Sequence, residues 1–452
     1  MPSHRSSAAD VTVIGAGAVG ASVAYELARR GASVLVLEAG ATPAAGCSYA
    51  NAGLIAPSHV EPLVTPSTLR EGLGHLLNKD TPFYVSPRAQ LVPFMASLAR
   101  SAGPARTRLL TERLRELAVR SLSMHQEYSD RGLTGSFRRR GLMDVFLTEN
   151  AFARKVAGLH RNPDGLAYEV LDAGHARERE PTLGAIAGGV LRPDEASCDS
   201  REFVASMLAA AQAEGAHIAW ETSARRLVTQ QDRVVAVETD TGAIRSDSFV
   251  VAAGMDSQAL CASVGLHLPM RGGTGYVVDV AIDGPAPSIP LSVREPRVVA
   301  TPYEDRLRMC GTLAFSESTS VLSSRRVQLI RDGVSRALPS LRVSETLETW
   351  VGQRPCTSDG VPAIGRTRRH RNLVVATGHA MWGLTLGPVT GELVAEGLLA
   401  DSPVLHEAAF SPDRFRRFGP PRRAEPIDAG GLGAAGNGRR TRDGRPMTSS
   451  VH

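Results

Sequence analysis

Arg354 stands in "WVGQRPCTSDGVPAIG" (350–365), the single cation among glycines, prolines and short polar residues. A guanidinium presents a planar fork of donors that can grip a carboxylate at two points, and Pro355 stiffens the backbone beside it. An arginine so placed suits an anion anchor, although a surface loop in which it pairs with an acid such as Asp359 is the plainer reading. A second set of chemically suggestive residues lies at the other end of the chain. Gly15, Gly17 and Gly20, in the run Gly15-Ala16-Gly17-Ala18-Val19-Gly20, have G-x-G-x-x-G spacing. In that pattern the first glycine permits a tight turn, the second lets a pyrophosphate approach the backbone, and the third allows close helix packing. Glu38-Ala39 follows 18 residues after Gly20, where a carboxylate can accept hydrogen bonds from ribose hydroxyls. The chain offers no Ser-His-Asp set, paired catalytic carboxylates or metal-ligand spacing, so chemistry carried by a bound dinucleotide is the expectation and no metal is expected.

The elements around the glycines agree with this. Residues 11–38 read as strand ("VTVIG"), glycine turn, helix ("ASVAYELARRG") and strand ("SVLVLEAG"), a βαβ unit whose helix N-terminus attracts phosphate. An amphipathic helix is expected over about 105–130, a hairpin over 136–148 turning near Gly141, and a capped helix in "CDSREFVASMLAAAQAEG" leading into "AHIAW". A hairpin and a buried strand ending at Ala253-Gly254 come next, then alternating strands around the Pro-Tyr-Glu-Asp turn at 302–305. The last segment reads as strand "NLVVATG", loop and a helix with Pro388 in its first position. The stretch after residue 419, rich in Gly, Pro and Arg, is expected to be disordered.

At 452 residues two domains are expected, and 42% hydrophobic content suits a globular protein. The net charge of +5 comes almost wholly from arginine, with Lys79 and Lys155 the only lysines. No aromatic residues interleave with the arginine clusters, so no nucleic-acid partner is expected. Five scattered cysteines argue against a disulfide framework. The N-terminus lacks a secretory pattern and no run reaches the ~20 apolar residues of a spanning helix, so a cytoplasmic location is expected. Peripheral contact with the inner face of the cell membrane stays open through "LVPFMASLAR" (91–100), in which Pro93 is expected to interrupt any helix and packed core is the safer reading.

Three stretches together carry a resemblance: "VIGAGAVGASVAYELARRGASVLVLEAG", "CSYANAGLIAPSHVEPL" and "WVGQRPCTSDGVPAIGRTRRHRNLVVATGHAMWGLTLGPVTGEL". Over residues 11 to about 418 the chain resembles the FAD-dependent D-amino-acid oxidase superfamily, nearest to bacterial D-amino-acid dehydrogenase small subunits and D-hydroxyproline dehydrogenases. The resemblance implies an α/β chain with a Rossmann-like FAD-binding domain and a discontinuous α+β substrate domain on a mixed sheet. FAD-binding parts are expected at 1–80, 186–268 and 348–418, and substrate-domain parts at 81–185 and 269–347. It implies that Cys47, Ser48, Ala52, Gly53 and Leu54 line the flavin and pyrophosphate, with Cys47 where relatives carry Ser or Thr, and that Ala224 falls where a valine meets the adenine. Gly378, His379, Gly383, Leu384 and Thr385 are expected along the ring, with Met381 and Trp382 as apolar wall or core.

By the same resemblance Arg354 holds a substrate carboxylate beside the flavin. His379 is a candidate base, or else a residue that orients the backbone or contacts the flavin, and Tyr276 and Tyr303 are candidates for the substrate side. The implied reaction is oxidation of the Cα–N bond of a D-amino or cyclic imino acid by hydride transfer to N5 of non-covalent FAD. Quinone, oxygen or a protein remain open as electron acceptor. An NAD-dependent dehydrogenase and a non-catalytic flavoprotein subunit of an electron-transfer complex are the alternatives.

Overall fold

Two sheets carry the molecule. In the first, strands lie in the order 363–366, 373–377, 246–251, 9–14, 34–37 and 217–219. All neighbours are parallel except 363–366 with 373–377. The strands are short runs of Val, Ile and Leu buried on both faces, as a parallel sheet between helices requires. The helix Ala18–Ala28 returns the chain from the first strand to its neighbour and packs closely on the late helix Gly383–Leu399. Gly387 and Gly391 allow that approach, because a β-carbon at Gly391 would come 2.6 Å from the Ser22 carbonyl oxygen. The second sheet has nine strands, in the order 343–357, 270–282, 307–315, 298–302, 291–293, 142–146, 188–192 and 169–172, with 83–85 joined to 307–315. It is mixed, and the helix Ser324–Ala337 covers one of its faces. The computed structural model describes residues 9–49, 51–66, 68–69, 83–86, 88–315, 322–400 and 407–418, all within one compact unit that ends at Gly419. The tail expected to be disordered lies outside the described residues.

Several sequence expectations move. Residues 136–148 form no hairpin: only Leu142–Phe146 is a strand, and it pairs with 188–192 and 291–293 while Arg138 bridges Ser197. The strand Gly188–Arg192 belongs to the second sheet, and so does the whole of Val343–Thr357, so the expected boundaries at 186 and 348 fall inside it. Pro93 opens the helix Val92–Ser101 and does not interrupt it, since a proline in the first turn removes an N–H that has no helical partner. Phe94 and Leu98 of that helix are buried, with Phe94 5.5 Å from the Phe315 ring. No helix among the described residues is long and apolar enough to cross a membrane.

Pro388 lies inside its helix, which begins earlier, at Gly383. A proline there cannot donate to the carbonyl four residues back, that of Leu384. His125, from the long helix Pro104–Asp130, fills the gap, its Nε2 lying 3.1 Å from the Leu384 oxygen. Burial holds His125 neutral by lowering its pKa to about 4, with the bond to Leu384 opposing this. An imidazole whose folded pKa is depressed contributes stability that is fully present above the unfolded value near 6.5 and is lost as pH falls toward 4. Urea unfolding should therefore show that His125→Gln loses about 2 kcal/mol less stability than the parent between pH 7.5 and 5. Equal losses in the two proteins would contradict this account of the histidine.

Candidate active site

The first strand ends at Ile14 and the chain turns through Gly15 at φ +103°, where a β-carbon would stand 2.6 Å from the Ala252 carbonyl oxygen. A β-carbon at Gly20 would collide with the Gly15 carbonyl. Gly17 caps the helix without a side chain, and the Ala18 amide donates to Ser48 Oγ at 3.0 Å. Glu38 closes the second strand with its carboxylate turned to the turn, accepting from the Ala16 amide at 2.8 Å and the Gly40 amide at 2.8 Å. Backbone amides, a helix N-terminus and a carboxylate thus converge where a dinucleotide's pyrophosphate and ribose would be held.

Arg354 lies on the second sheet, directly opposite Gly273 on the strand Met270–Ile282. Its guanidinium reaches along the strands and rests over the neighbouring pair Gly275–Gly352, so that a β-carbon at Gly275 would come 2.5 Å from Nη1 and closer still to Cζ and Nη2. Nη1 donates to the Thr312 carbonyl at 2.8 Å. That carbonyl is presented by a β-bulge: between the pairs Thr274–Ala314 and Tyr276–Gly311, Gly275 alone faces both Thr312 and Leu313, and Thr312 takes φ +62°. A non-glycine residue in this region is costly and must be held by its surroundings. Among the described residues no carboxylate lies within ion-pair distance of Arg354. Asp359, the acid that a surface-loop reading would pair with it, instead accepts from Arg414 at 2.8 Å and Arg106 at 3.0 Å.

Two further segments close on the arginine. The thiols of Cys47, Cys310 and Cys356 are pushed up by burial and pulled back by the Arg354 charge, and Tyr49 and Ala52 of the loop after the second strand pack with Trp350 of the arginine strand. From the other side, the Ala380 amide donates to the Pro355 carbonyl at 3.0 Å and Cys356 bridges His379. The two segments also meet each other, because Thr385 Oγ1 donates to the Leu54 carbonyl at 3.1 Å.

The model of the DAO family, FAD-dependent oxidoreductases, matches residues 10–397. The chain belongs to this family. A D-amino acid dehydrogenase of Paramagnetospirillum magneticum is 32% identical over 90% of this chain and 99% of its own length. A D-amino-acid oxidase of Bradyrhizobium diazoefficiens is 31% identical over 90% and 98%. Among solved structures, glycine oxidase from Bacillus cereus superposes with a TM-score of 0.70 at 22% identity, covering 88% of this chain and 97% of its own. L-proline dehydrogenase from P. horikoshii gives 0.69 at 18%, covering 91% and 98%. The protein is an FAD-dependent oxidoreductase, and the nicotinamide alternative falls away.

The residues expected to hold FAD fall on several elements. Ala16, Ala18 and Val19 line the glycine turn, Ala39 follows Glu38 at an exposed strand end, and the Thr222 amide donates to the Glu38 carbonyl at 2.8 Å just before Ala224. Ala253 borders Gly15, and Gly254 accepts from Thr377 Oγ1 at 3.1 Å. Ala52 accepts from Thr301 Oγ1 at 2.6 Å. Gly53, at φ +71°, has no room for a β-carbon, which would meet the Tyr303 hydroxyl and come 2.7 Å from the Cys198 carbonyl oxygen. Gly378, at φ +77°, lies against Thr357, and Gly383 and Leu384 open the last helix. Ser48, and not Cys47, carries the hydroxyl that reaches the helix N-terminus.

Tyr276 requires a correction. It alternates with Gly275 on its strand and so points to the opposite face from Arg354, into the core with Val298 and Ile330. Tyr303 lies behind the flavin loop, its hydroxyl donating to the Cys198 carbonyl at 3.2 Å. His379 is buried, its Nε2 lies 3.0 Å from Thr390 Oγ1, and burial lowers its pKa to about 3. Trp382 donates to the Glu61 carbonyl at 3.3 Å, and Met381 is exposed. Sequence reasoning passed over Gly275, Thr312, Tyr49 and Trp350. Trp350 had a legible signal, standing an even four residues before Arg354 and hence on its face of the strand.

If the bare floor at Gly275 positions the guanidinium, Gly275→Ala should retain FAD yet weaken binding of acetate, read from perturbation of the flavin spectrum, by tenfold or more. Unaltered acetate affinity would show that the guanidinium does not depend on this floor.

Proposed function

We propose that the protein oxidises the Cα–N bond of a small D-amino or cyclic imino acid whose carboxylate is held by Arg354. One observation carries the reading: a half-buried guanidinium has no carboxylate partner among the described residues, on a strand whose Trp350 packs with Tyr49 and Ala52 of the 47–54 loop. An unpaired charge withdrawn from water is costly, and a substrate carboxylate removes that cost through charge-assisted hydrogen bonds. The proteins it is similar to are named for D-amino acids, glycine and L-proline, compounds that share a carboxylate next to a C–N bond.

FAD bound by the glycine turn, Glu38 and the 47–54 loop supplies the acceptor for the Cα hydride. The chain's own part is alignment. Arg354 fixes the carboxylate, and with it the direction of the Cα–H bond. The Thr312 carbonyl occupies Nη1, which leaves the other edge of the fork for the substrate. As the hydride leaves Cα, the lone pair of the neutral amine forms the C=N bond of an iminium. Water then converts this to a 2-oxo acid with release of ammonium, or a cyclic imine persists, after loss of the N–H proton to water, when the substrate is proline-like. His379, kept neutral and turned toward Thr390, serves to orient the 378–382 turn against the arginine strand.

The test is anaerobic reduction of bound FAD by D-alanine, D-proline, cis-4-hydroxy-D-proline, sarcosine and glycine. Arg354→Ala should keep its FAD while its reduction by the preferred substrate slows roughly 10- to 150-fold, the equivalent of losing one charge-assisted anchor of about 1.5–3 kcal/mol. Arg354→Lys should recover little, because a point charge cannot reproduce the fork. Reduction of Arg354→Ala at the parent rate would remove the arginine from the site.

A further inference from the structure

We propose that Trp350, buttressed by Tyr49, is the wall that limits the substrate side chain, so that the protein prefers short uncharged side chains over aromatic ones. The proposal rests on the carboxylate reading of Arg354. Arg354, Gly352, Trp350 and Glu348 occupy alternate positions of one strand and share a face. The Trp350 indole folds back over Gly352, where a β-carbon would come 2.6 Å from Cζ2 and closer still to Cη2. Gly352 is paired directly with Gly275, the residue under the guanidinium. Side-chain positions so paired stand about 4.5–5.5 Å apart, which puts the indole beside the fork that holds the carboxylate. A substrate side chain directed toward Gly352 would meet this ring.

The ring is fixed from behind. Tyr49, on the cofactor loop, packs on it with centroids 5.9 Å apart, and the Tyr49 hydroxyl donates to Glu348 at 2.7 Å and accepts from Arg201 at 3.1 Å. Arg201 also covers the Tyr49 ring at 4.3 Å and pairs with Glu348 at 2.9 Å. The indole packs with the apolar cluster of Val277, Cys310, Val299 and Ala52. The acids beyond are already matched: Asp279 takes Arg308 at 2.7 Å and Arg306 at 3.0 Å, and Glu348 takes Arg201. A cationic side chain would find no unmatched acid among these residues. Glu348, Arg201 and Asp279 also line an open cleft of about 1060 Å³.

The experiment uses the FAD-loaded protein with Trp350→Ala and Trp350→Phe, and two readouts. One is kcat/KM for D-alanine and D-phenylalanine. The other, independent of turnover, is the Kd of acetate and phenylacetate from perturbation of the flavin spectrum. The parent should favour the smaller member of each pair. Trp350→Ala should shift both ratios toward the aromatic member by at least tenfold, with Trp350→Phe intermediate. If Trp350→Ala does not fold, the Phe variant must still shift both ratios in this direction. Unchanged ratios, or an equal fall for small and large compounds, would reduce Trp350 to a structural residue and overturn the proposal. Failure of the underlying reading has a different signature, an acetate Kd that is the same in Arg354→Ala as in the parent.

Discussion

A guanidinium laid flat on glycine, fastened by one carbonyl and left without a carboxylate partner among the described residues, is the constraint around which the substrate sheet is arranged. Arginine side chains lose considerable rotamer freedom when ordered. Here the order comes from the floor and from the bulge. Gly275 removes the atoms that would lift the group, and the extra residue opposite it turns the Thr312 carbonyl into reach. The positive φ at Thr312 is a local cost maintained by the strands on either side.

The same economy of side chains governs the cofactor half. Gly15 and Gly20 bring strand, turn and helix together, and Gly387 and Gly391 bring the last helix onto the first. That last helix carries a proline in its interior, and His125 repairs the lost backbone bond at Leu384, the residue next to Thr385, which holds the flavin loop. The loop therefore answers to both sheets: Ser48 caps the first helix, Ala52 is held by Thr301 of the substrate sheet, and Cys47 lies under the influence of Arg354. A few residues of backbone thus tie this loop to both sheets.

The cofactor half was largely legible because its signals are local. A glycine triplet between a strand and a helix, with an acid at the end of the next strand, describes a turn that needs no distant partner to be understood. Arg354 drew attention through its motif, and it lies on the second sheet with no carboxylate partner among the described residues. What the sequence withheld was register. Tyr276 looks as suited to a substrate as any tyrosine near a glycine run, and only its pairing opposite Val351, one residue out of phase with Arg354, shows that it faces the helix-covered core. Thr312 gave no sign of its role because a bulge is a property of two strands. Pro388 misled for the opposite reason: as a start signal it was plausible, and the histidine that permits it inside a helix lies 263 residues earlier. The boundaries at 186 and 348 missed because the alternation of a strand does not say which sheet receives it.

The central claim is tested most directly by a crystal structure of the FAD-loaded protein with acetate bound. The account predicts the carboxylate within hydrogen-bonding distance of Arg354 on the edge not occupied by Thr312, between the cofactor loop and the Gly275–Gly352 floor. Acetate bound elsewhere, with the Arg354 guanidinium turned away from the flavin or paired with a protein carboxylate, would contradict it.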